Sequence, residues 1–298
     1  MVLHPQAAAA VALWSEGPSV TDPGFDGEGI AEQRRLAREA AAAEPHEEVA
    51  YVEDVDVDGV PSRLYLPVGA TRLAVFLHGG GFVFGDLDTH DAQSRRFANR
   101  TGLAVLAVDY RRPPEHRFPA APDDVDKVVP WLFENAPAMG VDVSRLVALG
   151  DSAGGNLALV AALRNPNVFA ATVLVYPFID PAGRHHRPQR DNNGLSAAEC
   201  AWYWQQYAAT PADLGDPDLA PIDSDQLGTL PPTLVVAADH DILYDEDVEL
   251  ARRIDAAGGT VTLSTYTGMV HGFWRHPALF DAAEESLADI ADFLDRTL

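Results

Sequence analysis

Along most of the chain, short apolar runs alternate with longer stretches of helical character. The runs are Leu73–Leu77, Leu103–Val108, Leu146–Leu149, Val173–Tyr176 and Leu234–Ala237, with a more alternating one at Val261–Thr265. Between and after them lie His90–Arg100, Pro122–Glu134, Ala153–Arg164, Glu246–Ala257 and Ala282–Leu298. Continuous apolar strands that alternate with helices predict an α/β fold, a mostly parallel sheet covered on both faces. Ligands of such sheets sit at the carboxyl ends of the strands.

Three segments depart from this rhythm. Val49 to Val57 alternates Val and Tyr with Asp and Glu, Asp58-Gly59 makes a turn, and Ser62–Leu66 returns until Pro67. That pattern predicts an antiparallel hairpin at a sheet edge. Between Ile179 and Pro232, residues 181–194 are rich in Pro, Gly, Arg and His, and Ser196 caps a helix carrying Trp202, Tyr203, Trp204 and Tyr207. An aromatic insertion in a regular alternation predicts a lid over the strand ends. Glu28 to Glu44 is an Ala, Glu and Arg-rich run with a modest apolar stripe, a surface helix contributing to the same cover. The expected organisation is one domain over 1–298 with a helical cap from about 1–45 and about 181–225.

Composition narrows the function classes. The 298 residues carry 45 acidic against 21 basic side chains, a formal charge of -24, and a single lysine, Lys127. Such a field repels polyphosphate and anionic lipid, so nucleic-acid and membrane-surface partners are not expected. The acidity reads as drift away from Lys rather than adaptation to high salt. Cys200 stands alone in a helical pattern, so no intrachain disulfide is expected and it reads as a buried or half-buried small residue. Ala7 to Leu13 could pass for a short signal core, but no Lys or Arg precedes it and Trp14-Ser15-Glu16 occupies the place of a cleavage site. The expectation is a cytoplasmic protein without cofactor or metal; the oligomeric state is not legible, and a homodimer is left open.

The chemistry centres on Gly150-Asp151-Ser152-Ala153-Gly154-Gly155, between an apolar run and a helical one. A serine between glycines at minus two and plus two, leaving a strand and entering a helix, has the pattern of a nucleophile elbow. The helix N-terminus behind it favours negative charge. A serine hydroxyl needs a base and oxyanion donors. For the donors, Leu73–Leu77 runs into His78-Gly79-Gly80-Gly81-Phe82, which makes the backbone N–H groups of Gly80, Gly81 and Ala153 the candidates. A Walker phosphate loop is excluded, because no Gly-Lys-Ser/Thr follows.

Ten histidines compete for the base. His4, His46, His90, His116 and His276 lie in polar or terminal contexts, His185-His186 in a basic loop where the pair is expected to be solvated, and His78 is expected to hold the glycine loop's shape. His240 abuts Asp241 as part of a turn. His271, between the last strand and the last helix, is positioned to drop an imidazole onto the serine. The orienting acid should follow Leu234–Ala237, where Asp239, Asp241, Asp245 and Glu246 all qualify. The chain order Ser, Asp, His fits the hydrolase arrangement.

From about Val49 onward the sequence resembles the hormone-sensitive-lipase family of α/β-hydrolase carboxylesterases. His78-Gly79-Gly80-Gly81 matches the family's HGGG loop and Gly150 to Gly155 its GDSAGG elbow; Asp109-Tyr110-Arg111 through Pro119-Ala120 resembles its DYRLAPEHPFPA segment. Asp241 to Asp247 resembles its D-P-L-x-D-E-G motif, which selects Asp241, and His271-Gly272-Phe273 its HGF motif. Ile242, Asp247 and Arg112-Pro113 depart from the usual residues without touching a catalytic atom.

The resemblance implies a serine carboxylesterase acting on small short-chain or aryl esters, with Ser152 as nucleophile, His271 as base and Asp241 as its orienting acid. Phe82, Trp202, Trp204, Tyr207 and Trp274 are the expected walls of the substrate pocket. An amidase or deacetylase using the same triad on N-acyl compounds is the enzymatic rival. A non-catalytic small-molecule receptor on this fold would lack a triad member, and all three are present.

Overall fold

The computed structural model describes residues 2–190 and 192–298, so that Met1 and Asp191, both inside the expected cap spans, lie outside the described residues. Two helices come first, α1 (Pro5–Trp14) and α2 (Gly27–Ala42). Then follow β1 (Tyr51–Val57), β2 (Val60–Leu66), β3 (Leu73–Leu77), α3 (Asp91–Thr101), β4 (Ala104–Val108) and α4 (Ala120–Asn135). The second half holds β5 (Leu146–Asp151), α5 (Ala153–Arg164), β6 (Phe169–Val175), α6 (Ala197–Tyr207), β7 (Thr233–Ala238), α7 (Tyr244–Ala256), β8 (Val261–Tyr266) and α8 (Asp281–Thr297).

The strands form one sheet in the order β1-β2-β4-β3-β5-β6-β7-β8. Contacts from β4 through β8 are parallel, and β1, β2 and the β2–β4 pair are antiparallel, as the hairpin pattern predicts. This is the α/β-hydrolase architecture.

The continuous apolar runs have a direct cause: each strand feeds two cores. In β4, Ala104, Leu106 and Val108 face the layer of α4, α5 and α7, while Val105 and Ala107 face that of α1, α3 and α8. At the edge, β8 is half exposed, which accounts for its alternation. The Ala7–Leu13 run lies in α1, which turns Ala7 and Ala10 into the second core. Among the described residues no helix is long and apolar enough to cross a membrane.

The parallel register brings the strand ends together. Leu77 lies opposite Gly150, Asp151 opposite Val175, and Ala238 opposite Tyr266. The loops after β3, β5, β6, β7 and β8 therefore open on one edge of the sheet, where α6 and the irregular stretch before it also lie.

Candidate active site

Ser152 sits between β5 and α5 with φ 54° and ψ -120°, a conformation that costs a non-glycine residue energy and persists only where the surroundings enforce it. The enforcement is visible: Ser152 N–H donates to the Val175 carbonyl oxygen at 2.9 Å, and Phe178 N–H to that of Ser152 at 3.1 Å. A Cβ on Gly150 would run into the Gly154 carbonyl, and one on Gly154 into that of Leu77. Both flanking glycines are thus required by close backbone approach.

His271 comes from the loop after β8, and Asp241 from the loop after β7. Nδ1 of His271 lies 2.6 Å from Asp241 Oδ2, and Nε2 lies 2.9 Å from Ser152 Oγ. An ionised carboxylate only accepts, so Nδ1 carries the proton and Nε2 is left to accept from the serine hydroxyl. Burial pulls the imidazole pKa down, but the charge and hydrogen bond of Asp241, with Asp151 and Glu246 behind them, hold it above the ordinary value.

The other three acids of the β7 loop have different partners. Asp239 Oδ1 accepts Gly268 N–H at 2.6 Å. Asp245 pairs with Arg187 at 2.6 Å and with Arg190. Glu246 accepts Ile179 N–H at 3.0 Å, and burial pushes its carboxyl up to about 7.

The glycine loop after β3 faces the serine. Gly80 and Gly81 have φ 119° and 59°, values that glycine adopts without strain. Among the described residues no acceptor takes the N–H of Gly80, Gly81 or Ala153. Gly79 N–H donates to Asp151 Oδ1 at 3.0 Å, tying this loop to the elbow. His78 stacks on Tyr110 with ring centroids 4.3 Å apart, and the Tyr110 hydroxyl donates to the His78 carbonyl oxygen at 2.7 Å. Burial, with the charge of Arg112, lowers the His78 pKa to about 3, so this histidine is neutral and holds the loop.

Ser152, His271, Gly80 and Gly81 border a cavity of about 180 Å³, walled further by Tyr176, Phe178, Leu195, Tyr203 and Arg275. Larger clefts, two of them along α3 at about 360 and 430 Å³ and two elsewhere at about 340 and 200 Å³, contain neither Ser152 nor His271. The candidate site is the small cavity.

The expected aromatic walls are elsewhere. Phe82, Trp204 and Tyr207 are buried in the core cluster behind the wall residue Phe178, with Phe82 stacked on Tyr207 at 3.7 Å and Phe178 packed on Trp204 at 4.2 Å. Trp274 is buried against Phe76 in the opposite core, and Trp202 packs on Phe25. Tyr203, between two tryptophans assigned to the pocket, is the member of α6 that reaches it. The signal was the helical period: Cys200, Trp204 and Tyr207, at i, i+4 and i+7, mark the core stripe.

Three other histidines differ from expectation. His186 is half-buried with Nε2 3.6 Å from Glu246 Oε2 rather than solvated. His90 is buried against His78 and Phe76, and His276 packs on Trp14. Each lies in a segment of polar sequence that the fold turns inward.

Comparison with known proteins bears on the fold and the reaction class. Residues 74–275 match the family described as alpha/beta hydrolase fold. The chain is 38% identical to the ethyl acetate hydrolase of Pseudomonas putida over 253 residues, 80% of this chain and 79% of that enzyme. A hyperthermophilic esterase from the archaeon Pyrobaculum calidifontis superposes with a TM-score of 0.88 at 32% identity, covering 99% of this chain and 98% of that one. An esterase from the bacterial hormone-sensitive lipase family superposes with a TM-score of 0.85 at 27% identity, over 100% and 99% of the two chains.

Proposed function

Since this chain belongs to the alpha/beta hydrolase family and is a carboxylic ester hydrolase, we propose that it acts as a serine carboxylesterase of the hormone-sensitive-lipase group on small short-chain or aryl esters. The observation that carries this reading is one imidazole bridging Asp241 and Ser152 at the wall of a small cavity.

Ser152 Oγ attacks the ester carbonyl carbon while His271 Nε2 takes the hydroxyl proton. The tetrahedral oxygen is received by the N–H groups of Gly80, Gly81 and Ala153, which have no other acceptor among the described residues. As the C–O bond breaks, the imidazolium returns its proton to the departing alcohol and leaves an acyl-enzyme. Water then attacks by the same route and releases the acid. Asp241 fixes the tautomer and stabilises the imidazolium throughout.

A cavity of about 180 Å³ favours short acyl groups. The likeness to a protein named ethyl acetate hydrolase supports the same size class. We read residues 1–45 and 181–225 as the cap over it: Ser196 and Glu199 form a capping box that starts α6, and Ser19 Oγ donates to Glu199 at 3.2 Å, joining the two spans.

The test is turnover of 4-nitrophenyl acetate by Ser152→Ala, with the fold monitored by circular dichroism. A loss of about 10⁶-fold in kcat is expected; substantial residual turnover by a folded variant overturns the assignment. Across acetyl, butyryl and octanoyl esters, a preference for octanoyl overturns the short-chain class.

A further inference from the structure

Arg275 is a cation in the catalytic cavity that the chemistry above does not use. It lies four residues after His271, is partly buried, and stands between two spaces, lining both the cavity of Ser152 and the cleft of about 360 Å³ along α3. Among the described residues its guanidinium has one hydrogen bond, from Nη2 to the Thr89 carbonyl oxygen at 3.4 Å, which is long for such a bond. A guanidinium offers five N–H donors in a planar fork.

Among the described residues Arg275 has no carboxylate partner, which is uncommon in a chain where acidic side chains outnumber basic ones 45 to 21. Arg34, Arg63, Arg100, Arg164 and Arg184 each hold a carboxylate within 3.4 Å. Asp151 shares the cavity wall with Arg275, yet it accepts Gly79 N–H and forms no ion pair with the arginine. Arg275 lines the cavity together with Asp151 and Tyr176, and its charge lowers the pKa of each against the rise that burial causes.

The remaining wall is largely aromatic and aliphatic: Tyr176, Phe178, Leu195 and Tyr203. In such surroundings an ion pair is stronger than at the surface, and a guanidinium binds a carboxylate through two parallel hydrogen bonds. The net charge of -24 works against the approach of any anion. Selection of an anion here must therefore come from contact at Arg275, not from long-range attraction.

We propose that Arg275 is a specificity-determining residue that pairs with a carboxylate borne by the ester, so that the enzyme selects half-esters of dicarboxylic acids or acyl esters of hydroxy acids over neutral esters of the same size. This rests on the serine-esterase reading.

The experiment compares kcat/KM for esters that differ only in charge, in the native protein and in Arg275→Gln. One arm uses monoethyl succinate and its uncharged carboxamide analogue ethyl succinamate, with the carboxylate on the acyl side. The other uses acetoxyacetate and acetoxyacetamide, with the carboxylate on the alcohol side. The native enzyme is expected to prefer the charged member of one arm by about 10- to 100-fold, and Arg275→Gln to remove that preference. Arg275→Lys, which keeps the charge without the fork, should restore part of it. A native enzyme with equal rates on both members of both arms overturns the proposal without reference to any variant. So does an Arg275→Gln protein that loses charged and neutral substrates in the same ratio. If neutral esters are hydrolysed and Ser152 reacts with a fluorophosphonate, such a result removes the role of Arg275 and leaves the esterase reading intact. Absence of both activities removes that reading, and the role of Arg275 with it.

Discussion

Helix α5 buries every residue from Ala153 to Leu163, whereas α2, sixteen residues long, buries only Ile30. The first is wedged between β5 and β3 so tightly that a methyl group on Gly154 would meet the Leu77 carbonyl. The second is held by its arginines. Arg34 donates to the Val83 carbonyl oxygen at 3.0 and 2.8 Å, to that of Pro113 at 2.7 Å and to Glu115 at 2.8 Å; Arg38 pairs with Asp86 at 2.5 Å. Steric closure admits one packing and is indifferent to salt, while charged contacts at a surface compete with water and ions. Ser152 thus stands at the start of an element that cannot shift, whereas α2 is held by contacts that solution conditions can loosen.

The sharpest probe of the locked region is Asp241→Asn. Loss of the charge that fixes His271 is expected to lower kcat by about 10⁴-fold, as in other triads. The same substitution has a pH signature. His271 must be neutral to act as base, and its pKa is held above the ordinary value chiefly by Asp241 against the pull of burial. Native kcat/KM should therefore fall as pH drops through a midpoint above about 6.5, and the variant's midpoint should lie lower. A small drop in kcat with an unmoved acid limb would show that Asp241 does not control the imidazole.

Gly154→Ala comes next, with an expected loss of about 3 kcal/mol in urea unfolding together with lower activity. A variant of native stability would mean that α5 can slide, and the contrast with α2 would collapse. For α2, Arg34→Ala should cost about 1–2 kcal/mol at low salt and less in 1 M NaCl, read by limited proteolysis between α2 and β1 as well as by unfolding. An equal loss at both salt concentrations would indicate packing rather than charge. The smallest effect is expected at Arg35, whose partners Glu32 and Glu39 lie on the same exposed helix face; Arg35→Ala should leave the unfolding midpoint unmoved.

The alternation of apolar runs and helical stretches was enough to predict the sheet, its edge hairpin and both covering layers, because strands fed by two cores cannot afford polar positions. Pocket walls were a different matter. Phe82, Trp204, Tyr207 and Trp274 are large and apolar and could have faced a ligand or a core, and composition does not separate the two. Their packing does: three lie in the core cluster behind the wall residue Phe178, and the fourth lies across the sheet. The polar or terminal context of His90 and His276, and the basic loop of His186, mislead for the corresponding reason, since local polarity says nothing about which loop will be folded inward.

What the chain determines by itself is what near neighbours enforce: strand against helix by periodicity, the strained serine by glycines two residues to either side, and the loop order that puts serine, acid and histidine at one sheet edge. Which acid meets His271 was open among four on the residues alone, and resemblance selected Asp241. That contact spans 30 positions of sequence, and the one between His271 and Ser152 spans 119. Such distances are set by how loops pack over the strand ends. The same packing decides that Tyr203 rather than its tryptophan neighbours reaches the cavity, and that Arg275 lines it with no carboxylate partner among the described residues.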